Sequence, residues 1–114
     1  RPVVYGDGKQ SRDFCFIENV CNANLLAMRA PAAVCDGRAI NIACGQSTNL
    51  LEILGYLGDL LAVDSEPSFL DPRPGDVKHS LADISRAAAS IGYQPAVPVE
   101  EGLKQSVAWY REHC

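Results

Sequence analysis

Two arginines stand where an anion could be held. Arg12 closes the stretch Gly6-Asp7-Gly8-Lys9-Gln10-Ser11-Arg12, and Arg73 lies in Pro72-Arg73-Pro74-Gly75-Asp76. A guanidinium is planar, permanently charged and able to grip a phosphate through two hydrogen bonds. Backbone N–H groups around Gly6 and Gly8 would add donors. The prolines beside Arg73 lower the entropy cost of holding it in place, and Asp76 can accept from a sugar hydroxyl. Each stretch also has a plainer reading. The first can be a solvated hairpin tip where Arg12 pairs with Asp13. The second can be a stiff linker with scattered charge. Glu18-Asn19, a third place, is equally well explained by helix capping and first-turn charge.

No catalytic acid–base set stands out. Ser11, Ser47 and Ser80 have no evident histidine partner, and His79 reads as a polar loop residue. No Gly-x-Gly-x-x-Gly follows a strand, and there is no Walker-type lysine loop. The cysteines are Cys15, Cys21, Cys35, Cys44 and Cys114, an odd number with no Cys-x-x-Cys pair. With only His79 and His113 beside them, no metal site is expected. Free thiols in a reducing cytosol are the simplest reading, so the expected location is cytoplasmic.

The elements that must position these residues can be outlined. The chain has 114 residues, 47% of them hydrophobic, which suits one domain or part of one. Its net charge of −4 argues against general nucleic-acid binding. No run approaches the roughly 18 apolar residues of a membrane span, and no signal-peptide pattern opens it. The chain starts directly on "RPVVYG" and reads as if cut from something longer.

Residues 2–5 and 13–17 are short and apolar, and are expected to form a hairpin with residues 6–12 as its loop. A helix is expected over 18–29, stopped by Pro31. Residues 39–43, "AINIA", suit a buried strand of a parallel sheet. Asn49 and Glu52 form a capping box for a helix with the stripe Leu50, Ile53, Leu54, Leu57 and Leu61. Within it, Gly55 and Gly58 either allow a close contact or are merely tolerated. Residues 64–82, rich in proline, read as an irregular connection. Asp83 caps a helix reaching Ile91, with Gly92 as its stop. A last helix, 99–113, follows Pro98. The order is β-β-α-β-α-loop-α-α, and three short strands are too few to flank a parallel strand on both sides.

Four stretches occur in order: "YGDGKQSRDFCFIENVCNANLLAM", "AINIACGQSTNLLEIL", "PRPGDVKHSLADISRAAASIGYQP" and "EEGLKQSVAWY". Together they resemble the C-terminal part of the NAD-dependent epimerase/dehydratase family, the extended short-chain dehydrogenases that act on nucleotide sugars. "SRDFCFIEN" and "HSLADIS" look most like its UDP-N-acetylglucosamine 4-epimerase branch. Many relatives carry Val-Asp-Asp where this chain has Ile17-Glu18-Asn19.

The resemblance implies an α/β fold: the C-terminal substrate-binding part of an extended Rossmann-type fold. That part would have a small hairpin, one parallel-sheet strand and about four helices, with the Rossmann core largely missing. Residues 1–114 would form one substrate-binding region, and 37–62 would rejoin the missing domain. Arg12 and Arg73 would hold the diphosphate of a UDP-sugar, Asp76 the ribose, and Val3 and Tyr5 would lie along the uracil. Phe14 stands where some relatives have tyrosine. NAD, bound by the missing domain, would take a hydride from sugar C4 and return it to the other face. The Tyr-x-x-x-Lys pair this chemistry needs is absent, since Tyr5 and Lys9 match the spacing on a turn. The resemblance further implies a homodimer of the full-length protein. A dehydratase or decarboxylase cap, or a non-catalytic truncated binding module, are the alternatives.

Overall fold

Local signals start and stop the helices, and distant segments supply the strand partners. The structure is a computed structural model describing residues 1–34 and 36–114, so Cys35 lies outside the described residues. Strand β1 (Val3–Tyr5) pairs in parallel with β4 (Ser68–Leu70), Val4 lying opposite Phe69. Strand β2 (Ser11–Arg12) pairs antiparallel with β3 (Thr48–Asn49).

These pairings correct two expectations. Residues 2–5 and 13–17 form no hairpin, because β1 takes β4 as its partner and residues 13–16 are not a strand. The Asp13 carboxylate instead accepts from the N–H groups of Cys44 and Gly45, both at 2.8 Å. Residues 39–43 are not a strand either. No described strand runs beside them to satisfy a ladder, and Ile40 and Ile42 are used as packing against the core. The connection 64–82, expected to be irregular, contains β4.

The helices follow their sequence signals. Helix α1 spans Ile17–Arg29. Helix α2 (Leu50–Leu61) has the full capping box: Asn49 Oδ1 accepts from Glu52 N–H at 2.9 Å, and Glu52 accepts from Asn49 N–H at 2.7 Å. Helix α3 (Ser85–Ile91) has Ile84 rather than the expected Asp83 at its N-cap, and the Asp83 carboxylate one residue earlier accepts from Ser85 N–H at 2.9 Å. It ends at Gly92, whose φ of 68° favours glycine. Helix α4 spans Val99–His113, with Glu100 and Glu101 at its first turn and Arg111 and His113 at its last.

The core lies between α1 and α3, where Ala23, Ala87 and Tyr93 are buried against Leu26, Ile40, Ile42 and Ile91. Asn19 decides the third candidate place. It is wholly buried, its Oδ1 accepts from Ala96 and Val97 N–H at 2.9 and 3.0 Å, and its Nδ2 donates to Val97 O at 2.7 Å. The amide thus ties α1 to the segment entering α4, and its role is structural. Glycine makes a second tie possible: a Cβ on Gly102 would lie 2.8 Å from the Phe16 Cβ, so α4 approaches the start of α1 only without a side chain there.

Candidate functional site

The parallel pair β1–β4 ends at an open groove of about 610 Å³. One wall is apolar, made by Phe69, Leu70, Pro72 and Val77; Tyr5, Asp7, Gln10, Arg73, Asp76 and Lys78 bring polar groups to it. The strand pairing explains the convergence. Tyr5 lies opposite Leu70, and Gly6 N–H donates to Leu70 O at 2.9 Å. The turn after β1 and the proline-rich segment after β4 therefore leave the sheet side by side.

Arg73 lays its guanidinium on the Tyr5 ring, 3.8 Å from the centroid. The stack holds a cation over an aromatic face inside the groove, and Asp76 N–H donates to Arg73 O at 3.3 Å to close the turn beside it. Gln10 Nε2 donates to Tyr5 O at 2.7 Å and fixes the other side of the aromatic residue. At the rim, Lys78 pairs with Asp7 at 3.4 Å. The Asp7 carboxyl is held below its ordinary range, first by the Lys9 N–H it accepts and then by Lys78. The turn needs glycine at residue 8, where φ is 72° and a Cβ would lie 2.6 Å from Leu51 Cδ2.

Of the residues singled out from sequence, Tyr5, Arg73 and Asp76 meet in this groove. Arg12, Val3 and Phe14 are not among its lining. Arg12 sits in β2, where its Nη1 donates to Ser11 O at 2.7 Å and to Lys78 O at 3.4 Å. It is thereby fastened to the segment that carries Arg73. The surface pair Arg12–Asp13 is not what forms, because Asp13 is engaged by Cys44 and Gly45. Val3 is 51% exposed on β1, and Phe14 is half-buried between β2 and α1.

Sequence reasoning missed Gln10 and Lys78, which share their stretches with Arg12 and Arg73. It also missed that Ser11 has a histidine partner: Ser11 Oγ lies 2.9 Å from His79 Nδ1. Sixty-eight positions separate the two, and nothing local signals the pairing. Among the described residues, no three His, Cys, Asp or Glu side chains converge to hold a metal ion.

Residues 1–43 match the model of the NAD dependent epimerase/dehydratase family. The UDP-glucose 4-epimerase of Mycolicibacterium smegmatis is 32% identical over 108 residues, covering 95% of this chain and 34% of its own length. Over its length the chain is similar in sequence and fold to members of the NAD-dependent epimerase/dehydratase family. The solved structure of UDP-N-acetylglucosamine 4-epimerase from Methanobrevibacter ruminantium M1, in complex with UDP-N-acetylmuramic acid, superimposes with a TM-score of 0.86 at 38% identity. It covers 99% of this chain and 35% of that one. UDP-glucuronic acid 4-epimerase from Bacillus cereus, in complex with UDP-glucuronic acid and NAD, gives a TM-score of 0.90 at 28% identity, covering 100% and 36%. The chain therefore spans about a third of the length of the family members it matches.

Proposed function

We propose that these residues are the substrate-binding part of an NAD-dependent UDP-sugar 4-epimerase, a UDP-N-acetylhexosamine being the favoured substrate. The observation that carries this reading is the groove joining Tyr5, Arg73 and Asp76. A nucleotide offers a flat base, a ribose with hydroxyls and a dianionic diphosphate. The groove offers an aromatic face, a carboxylate and a cation in one cavity. Arg73 holds the diphosphate from one side and Arg12 from the other, and Asp76 accepts from the ribose. Tyr5 lies along the uracil, with Val3 behind it on the same strand, and Phe14 contributes apolar surface but no hydroxyl.

The 114 residues do not themselves fit NAD: they contain no Gly-x-Gly-x-x-Gly, and Tyr5 and Lys9 flank a turn rather than lying on one helix face. NAD and the catalytic tyrosine and lysine are thus assigned to a segment preceding residue 1, and the role of this chain is to bind and orient. The proposed setting is a homodimer in the cytoplasm. The resemblance of "SRDFCFIEN" and "HSLADIS" supports the hexosamine. Because the family also contains dehydratases, the reaction itself is read out by turnover.

The test is calorimetric titration of UDP into the full-length protein. Arg12→Ala and Arg73→Ala are each expected to weaken binding by about 30-fold or more, as loss of a charged hydrogen-bonded contact does. Parent-like UDP affinity in both variants would overturn the assignment. With UDP-N-acetylglucosamine, the full-length protein is expected to form the 4-epimer, and the 114 residues alone to form none. A dehydrated product instead would move the protein to the dehydratase reading.

A further inference from the structure

Ser11 is where three segments meet. Its N–H donates to Lys78 O at 2.9 Å and its carbonyl accepts from Ser80 N–H at 3.1 Å, forming a parallel bridge with His79. The side chains extend the bridge. Ser47 Oγ donates to Ser11 Oγ at 2.8 Å, and Ser11 Oγ lies 2.9 Å from His79 Nδ1. A serine hydroxyl has one proton to give. With Ser47 donating to it, Ser11 Oγ keeps both its proton and a second lone pair for Nδ1, so the contact is made by either ring tautomer. Ser11 is only 7% exposed, so solvent does not readily replace a lost partner.

Arg12 rides on this bridge. The two carbonyls that orient its Nη1, those of Ser11 and Lys78, are the two that the bridge itself uses. Both Nη1 protons are committed there, while Nε and Nη2 retain their donors for an anion.

We propose that the Ser47–Ser11–His79 chain positions Arg12, fixing the carbonyl pair that aims its guanidinium at the substrate's diphosphate. The inference rests on the role of Arg12 given above. Ser11 and His79 touch no substrate; they act through the arginine. Ser47 joins the stretch before α2 to the same device.

The experiment titrates UDP into the full-length protein and records melting temperatures in parallel. An asparagine at position 79 places an acceptor near the site of imidazole Nδ1, whereas a glutamine places it near Nε2. His79→Asn is therefore expected to bind UDP like the parent, and His79→Gln about 3- to 10-fold more weakly. Ser11→Thr keeps the hydroxyl and the affinity; Ser11→Ala loses affinity as His79→Gln does. In an Arg12→Ala background, His79→Gln is expected to add no further loss. Equal binding by His79→Asn and His79→Gln, or a His79→Gln loss that persists without Arg12, overturns the positioning role. Melting temperatures that fall while UDP affinity holds overturn it too, by showing a structural bridge only. Arg12→Ala binding UDP normally is a separate failure, because it removes the assignment of Arg12 itself.

Discussion

Asn19 shows how much one buried amide can hold. Its side chain does for residues 96–97 what a neighbouring strand would do, accepting two N–H groups and donating to one carbonyl. Asn19→Ala removes these three bonds, and the Nδ2 contact with Cys44 Sγ at 3.6 Å, in a place closed to water. It is expected to destabilise by about 3 kcal/mol, read from urea denaturation. A loss below about 1 kcal/mol would mean that water enters and replaces the amide. Tyr93 makes a comparable point with a sign in pH. It is 1% exposed and donates to Ala43 O at 2.8 Å, and burial, followed by the neighbouring Cys15, pushes the phenol above its ordinary value of 10. The folded state therefore keeps a proton that the unfolded chain gives up. Its contribution is whole below pH 10 and is lost as pH rises through the folded value. Tyr93→Phe is expected to lower stability at pH 8 by about 1 kcal/mol and to flatten the alkaline fall. An equally steep fall in the variant would assign that fall to other groups.

At the scale of elements, what was legible depends on how far a signal reaches. Helix ends are written locally: Asn49 with Glu52, Gly92, and Pro98 before an acidic first turn each act within a few residues. The strands are set by partners across the chain, so the local pattern predicts a hairpin partner for β1 while its real one is β4. The run 39–43 has strand composition, but no described neighbour completes a ladder, and its isoleucines pack instead. The site divides the same way. Tyr5, Arg73 and Asp76 were visible as residue types, whereas the Ser11–His79 contact exists only once β2 lies beside residues 78–80. Glycines within α2 give a prediction at this scale. Gly55 faces open space, but a Cβ on Gly58 would lie 2.6 Å from Ser65 Oγ and 3.2 Å from Val63 O. Gly55→Ala is expected to stabilise by roughly 1 kcal/mol through helix propensity. Gly58→Ala is expected to destabilise by about 1–3 kcal/mol through the close contact. Thermal melts of the two variants shifting in the same direction would show that Ser65 moves aside.

The molecule as a whole is flat, 51 × 37 × 19 Å, with a radius of gyration of 16.8 Å. A compact chain of this length has a radius near ~13 Å. The excess appears as apolar surface left in the open. Ile17 is 63% exposed, Met28 82%, Leu81 60% and Trp109 53%, on segments that come from both halves of the sequence. Scattered single apolar residues are ordinary on a protein surface, but this many large side chains on a plate 19 Å thick calls for a cover. The net charge of −4 is too small to keep such surfaces apart. The 114 residues expressed alone are therefore expected to self-associate. Sedimentation at rising concentration should show species heavier than the 12.3 kDa chain, with a broad thermal transition. The full-length protein is expected to melt in a sharper transition at higher temperature. A single 12.3 kDa species unfolding in one cooperative step would show that the exposed apolar residues need no partner surface.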